Sequence, residues 1–184
     1  VPSQRNRSEL NRDNELAGLR AGAVRLGFLE RLHEPELEMV PVLEDPTALL
    51  VGADHWLARR ASVALDELAD EHWVTRAGNH PLSAVLRRTT AAMGVDPRIA
   101  FEAHDYHEAQ AMVAVGVGVA LAPRVALTNL RDDVRLLILQ PAPARRILLA
   151  WLRDRRATPA EDGLRTAIFQ AADQLRRSFR RSSG

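Results

Sequence analysis

The chain has 184 residues, a formal net charge of +1 and no cysteine. This length suits one medium domain or two small lobes, and the lack of cysteine excludes disulfide scaffolds, thiolate zinc sites and cysteine nucleophiles. A charge near zero argues against nucleic acid as a direct partner, since phosphate binding calls for a strong positive excess. Every Lys/Arg-type cation is Arg, a composition bias that lowers the weight of any single Arg as evidence of function. No stretch approaches the run of about 20 apolar residues that spans a bilayer.

Val1 to Asn14 is polar, reads as poorly ordered and has no signal-peptide apolar core. The chain does not begin with Met and reads as a piece of a longer one. Leu16 to Ala21 suits a short helix closed by Gly22, and Val24 to Leu29 a strand. Glu38 to Leu43 and Ala48 to Gly52 are two further short apolar runs. Pro41 and Pro46 argue against a central antiparallel strand there. Val63 to Asp70 suits a short helical turn, and Trp73 to Thr75 a strand. Asn79-His80-Pro81 opens a helix, on which Leu82, Val85, Leu86 and Met93 form an apolar stripe and which Gly94 ends.

Ile99 to Ala103 is the next expected strand, and Tyr106 to Val115 a helix stopped by Gly116. Val119 to Ala122 is a short strand halted by Pro123. Val134 to Ile138 and Ile147 to Leu152 are continuous apolar runs, as for strands covered on both faces. Thr158-Pro159-Ala160-Glu161 is a capping box with Pro at the first helical position. Leu164, Ile168, Leu175 and Phe179 then mark one face. Arg176, Arg177, Arg180 and Arg181 sit at the far end, where cations suit the helix dipole. Strands and helices alternate, which predicts an α/β architecture with mainly parallel sheets.

Three segments, taken together, resemble the effector-binding (substrate-binding) domain of LysR-type transcriptional regulators. The first is Leu49-Leu50-Val51-Gly52-Ala53-Asp54-His55-Trp56-Leu57-Ala58, similar to a strand followed by the family's His-Pro-Leu-Ala, with Trp56 in place of Pro; Val63-Ala64-Leu65-Asp66-Glu67-Leu68-Ala69 follows as the family's turn. The second is Met112 to Pro123, whose Gly116-Val117-Gly118 matches the family's Gly-Leu-Gly. Here Gly116 is expected to cap the helix, Gly118 to turn the chain tightly into a strand, and Pro123 to halt it. The third is Ile147-Leu148-Leu149-Ala150 with Thr158-Pro159-Ala160. Leu19-Arg20-Ala21-Gly22-Ala23-Val24-Arg25-Leu26 also matches a family element, with Arg25 in place of Asp. The resemblance covers roughly residues 15 to 180.

The resemblance implies a two-lobed, type II periplasmic-binding-protein-like α/β fold joined by two crossing strands. Lobe I would be residues 1–55 plus 144–184, without its first strand and helix, and lobe II residues 56–143. It also implies a bacterial, cytoplasmic regulator that is not an enzyme, with no cofactor and no membrane partner. The protein would assemble as a homodimer or homotetramer. DNA would be reached only through an N-terminal winged helix-turn-helix that this chain lacks. The effector would sit in the crevice between the lobes.

Ligands of open α/β sheets gather at the carboxyl ends of strands. That rule nominates Phe28, Leu29 and Glu30 after the first-lobe strand. It adds Thr75, Arg76 and Ala77 after a second-lobe strand, and His104, Asp105 and Tyr106 at the next crossover. The helices opening at Pro81 and Tyr106 would point free N–H groups at the crevice, which favours an anion. Arg76 could hold a carboxylate effector in a bidentate fork.

Competing chemistries are weaker. His104-Asp105-Tyr106-His107-Glu108 could ligate a metal, but reads first as a polar strand-to-helix loop in which Asp105 or His104 caps the helix. Gly116-Val117-Gly118 follows a helix, whereas a dinucleotide loop precedes one. Asn79-His80-Pro81-Leu82-Ser83 lacks the nucleophile elbow of a hydrolase. The C-terminal arginines read as a solvated helix end rather than a nucleic-acid patch. Trp56, Trp73 and Trp151 read as packing rather than ligand stacking. The alternative of another class is a transport-type solute-binding protein of the same two-lobed design, which dimer formation would discriminate against.

Overall fold

A computed structural model describes residues 17–21, 26–29, 34–77, 80–92, 94–141 and 143–181. The chain divides into two compact units, Val1–Asp45 with Arg145–Gly184, and Pro46–Ala144.

In the first unit, β1 (Gly27–Leu29) pairs antiparallel with β8 (Ala144–Leu152), Phe28 facing Leu149. Residues 17–20 are helical. Leu19, Leu37 and Ala150 form a small core, with Met39 and Leu152 against it. Helix α3 (Pro159–Arg181) follows β8. The capping box forms as its sequence requires: Thr158 N–H donates to Glu161 Oε2 and Glu161 N–H to Thr158 Oγ1. The inward positions of α3 are Glu161, Arg165, Ile168, Phe169, Ala172, Leu175 and Phe179. Leu164, expected on the apolar face, is 52% exposed. Steps of three and four residues from Ile168 lead to Glu161 and Arg165, so Leu164 falls on the flank of the buried stripe.

The chain enters the second unit on β2 (Leu37–Gly52), one strand of 16 residues where the sequence suggested two runs separated by prolines. Pro46 is tolerated because the pairings of the second unit begin beyond it, at Thr47 with Pro123 and at Ala48 with Ile138. Six strands form this sheet in the order β3-β7-β2-β6-β4-β5, with β3 (Ser62–Ala64), β4 (His72–Arg76), β5 (Arg98–Ala103), β6 (Val119–Pro123) and β7 (Val134–Gln140). The β3–β7, β4–β6 and β4–β5 pairs are parallel. Both antiparallel pairs belong to β2, the strand that crosses from the other unit. A short 3-10 turn, Leu65–Leu68, follows β3.

Period-two alternation assigns neighbouring residues to opposite faces. Leu49, Val51, Trp73, Val119, Leu121 and Leu137 pack on one side with Leu86 of α1 (Pro81–Ala92). Ala48, Leu50, Val74, Ala120 and Ala122 pack on the other with Ala109 and Val113 of α2 (Tyr106–Ala114). The second face is rich in alanine, which lets α2 approach closely: a Cβ on Gly52 would lie 2.9 Å from the Val113 carbonyl oxygen. β6, with helices on both faces, is buried at all five positions. β7, nearer the sheet margin, buries Val134, Leu137 and Leu139, half-buries Leu136 and Ile138, and exposes Arg135 and Gln140.

Gly116 ends α2 with φ +78°, the left-handed conformation expected of it. Gly118 does something else. Its φ is not positive, and its role is close approach, since a Cβ there would lie 2.4 Å from the His72 carbonyl oxygen on β4. Trp73 and Trp151 are buried. Trp56 is not core packing: it is 61% exposed, with its indole N–H donating to Glu71 Oε1 at 2.8 Å. No helix among the described residues is long and apolar enough to cross a membrane.

Candidate functional site

Two parallel neighbours, β4 and β5, deliver their carboxyl ends side by side. Arg76 faces Ala103 in register, and Ala77 N–H donates to the Ala103 carbonyl at 2.8 Å. Thr75, Arg76 and Ala77 therefore meet His104, Asp105 and Tyr106, six of the nine residues nominated from sequence. Phe28 and Leu29 lie at the end of β1 in the first unit. Glu30 is outside the described residues.

The Arg76 guanidinium lies over the Tyr106 ring, Cζ 5.2 Å from the centroid, within cation–π range. The His80 ring meets Tyr106 edge-on at 6.0 Å. Arg76 Nε and Nη1 are buried and have no hydrogen-bond partner among the described residues. A buried guanidinium donor without an acceptor costs about 1–3 kcal/mol or more, a cost that an acceptor brought from outside would relieve.

The helix N-termini do not supply the free donors expected of them. At α2, the Asp105 side chain accepts from both His107 N–H and Glu108 N–H at 2.8 Å. These bonds, the Glu108 one first, hold the Asp105 carboxyl below its ordinary pKa, and the nearby charges of His107 and Arg76 add to them. Glu108 reaches back to His104 N–H at 2.6 Å and to its ring Nδ1 at 3.1 Å, and is held low by the same contacts. At α1, Pro81 has no N–H, Leu82 N–H donates to His80 Nδ1, and Ser83 and Ala84 donate to the His80 carbonyl. Local side chains and the His80 carbonyl thus occupy these first-turn donors.

The same bonds bear on the other chemistries. Asp105 and Glu108 act as caps, and no group of three or more His, Asp or Glu among the described residues is placed to hold a metal. Ser83 Oγ donates to the Arg76 carbonyl at 3.3 Å, and His80 Nδ1 accepts from Leu82 N–H, so hydroxyl and imidazole are engaged separately. His80 was not among the nominated residues. Its signal was the Asn79-His80-Pro81 helix start, which follows the β4 end by three residues.

The sequence matches the LysR substrate binding domain over residues 8–173, and the chain belongs to that family. A hydrogen peroxide-inducible genes activator of Dickeya chrysanthemi is 30% identical over 165 residues, 88% of this chain and 52% of that protein. The chain spans about half the length of the curated relatives it matches. The CcmR regulatory domain of Synechocystis PCC6803, solved in complex with 2-PG, superposes with a TM-score of 0.69 at 18% identity, covering 85% of this chain and 77% of that one. The BenM effector binding domain, solved with its effector benzoate, gives 0.69 at 18% identity, covering 89% and 74%. The fold is accordingly the two-lobed, type II periplasmic-binding-like α/β fold of these domains, and the family is one of transcriptional regulators.

Proposed function

We propose that this chain is the effector-sensing regulatory part of a LysR-type bacterial transcription factor, and that its effector is a small carboxylate anchored by Arg76. The buried Arg76 donors beside Tyr106 carry the reading. A carboxylate supplies the missing acceptors and the opposite charge at once, and its bonds to a guanidinium are of the strong, charge-assisted kind. Benzoate, the effector of BenM, is itself a carboxylate. The two compact units are the two lobes of the sensor. The module acts by differential affinity for two states rather than by catalysis. It works in the cytoplasm as a homodimer or homotetramer and reaches DNA through a winged helix-turn-helix outside this chain.

The test is a thermal-shift titration of small carboxylates against neutral analogues of the same shape. Ligand at about 100 times its Kd stabilises by about 2.7 kcal/mol, a rise of roughly 5–10 °C for a chain of this size. Arg76→Gln is expected to abolish that rise. A preference for neutral ligands, or an unchanged response in Arg76→Gln, overturns the carboxylate reading.

A further inference from the structure

The start of α3 holds a second pair of arginines, Arg155 and Arg165, within the first unit and independent of Arg76, each with a carboxylate nearby. Trp151, next to last in β8, is buried. The Arg165 guanidinium lies over its ring with Cζ 3.9 Å from the centroid. Arg155, in the loop between β8 and α3, donates through Nη2 to Glu161 Oε1 at 2.7 Å. Both arginine side chains are largely buried, at 24% and 19% exposure. Arg155 Nη1 and Arg165 Nε are buried with no hydrogen-bond partner among the described residues.

The nearby carboxylates do not complete these two groups. Glu161 accepts from Thr158 N–H through Oε2 and from Arg155 Nη2 through Oε1. Its position is therefore set by the helix cap. Asp162 stands 3.6 Å from Arg165 Nη1, longer than a hydrogen bond, with its side chain 63% exposed. Stacking on Trp151 fixes the Arg165 plane, so its remaining donors leave only along the guanidinium edge. Arg155 touches Glu161, and Glu161 and Arg165 are one helical turn apart on the same face of α3.

We infer that Arg155 and Arg165 form a binding site for a small oxyanion, a phosphate, sulfate or carboxylate group held against the Trp151-stacked guanidinium. Such a group brings acceptors to both buried donors, in geometry that Arg matches and Lys does not. Trp151 reports occupancy, because a change at Arg165 alters the field on the indole ring beneath it.

The experiment titrates the intact chain with inorganic phosphate at constant ionic strength, chloride being exchanged to hold it fixed, and follows tryptophan emission and melting temperature. The variants are Arg165→Lys, which keeps charge and stem but removes the Nε donor, and Arg155→Gln. Arg76→Gln serves as the control for the proposed effector site. A saturable response is expected in the unaltered chain and in Arg76→Gln, with the midpoint at least tenfold weaker in Arg165→Lys and in Arg155→Gln. If Arg155→Gln fails to fold, Arg165→Lys carries the comparison. A response that never saturates, no response, or the same midpoint in Arg165→Lys overturns the site. Loss in Arg76→Gln with retention in Arg165→Lys assigns the anion to the effector site instead.

Discussion

Replacing Gly118 by Ala is expected to be among the most damaging single-methyl changes in the second unit. The added Cβ would lie 2.4 Å from the His72 carbonyl oxygen and 2.7 Å from its carbon, about 1 Å inside ordinary van der Waals contact. Neither partner is a side chain that can swing away. His72 begins β4, next to Trp73, which is buried and paired with Val119 of β6. Relief requires β4 and β6 to part, straining the packing around Trp73 and the ladder between them. Overpacking of this kind costs about 1–3 kcal/mol, and a weakened ladder bond adds about 1 kcal/mol, so the loss should be about 3 kcal/mol. At roughly 2–4 °C per kcal/mol, the melting temperature falls by about 6–12 °C. Gly116→Ala is the control: its φ is +78° with open space around it, so it pays only the left-handed backbone penalty of about 1–2 kcal/mol. Urea unfolding of both variants, with unchanged m-values, gives the two numbers. A Gly118→Ala loss smaller than that of Gly116→Ala, or below about 0.5 kcal/mol, would refute the close-approach argument.

Further predictions concern the core, the proposed effector site and the caps. Leu137→Ala, at a fully buried position of β7, should cost about 2–5 kcal/mol by denaturant unfolding; a loss under 1 kcal/mol would mean that this cluster collapses around the gap. Arg76→Met should raise ligand-free stability by about 1 kcal/mol, because it removes buried donors that have no acceptor among the described residues; calorimetry showing clear destabilisation would mean that these donors are satisfied in solution. The Asp105 carboxyl has a folded-state pKa below its unfolded value. Its contribution is therefore fully present above the unfolded value and is lost as pH falls through the folded one. Asp105→Asn keeps a capping oxygen that does not titrate, so its melting temperature should fall less steeply from pH 5 to pH 2 than that of the unaltered chain; parallel slopes would contradict this.

Much of the fold was legible because its signals are local. The α3 capping box and the Gly116 stop each depend on residues within a few positions of one another, and each forms as read; of the two caps open for α2, Asp105 or His104, Asp105 is the one that forms. The adjacency of Arg76 and Tyr106 followed from a topological rule, since parallel neighbours end together. What local reasoning misjudged was the state of the helix N-termini. A cap that ends a helix cleanly also consumes the donors that an anion would use, and the sequence shows the cap without showing which ligand it displaces.

Residue order alone determined the alternation of strands and helices, the family, and the strand ends on which a site would be built. Tertiary structure decided the rest: that Leu37–Gly52 is one strand through two prolines, that Gly118 serves a neighbouring carbonyl rather than a turn, that Trp56 stands exposed, and that Arg76, Arg155 and Arg165 keep buried donors without acceptors among the described residues. The division has a physical cause. Helix caps and periodicity are set by interactions within about one turn of the chain. Burial, close approach and the satisfaction of a side-chain donor depend on segments far apart in sequence, brought together by packing.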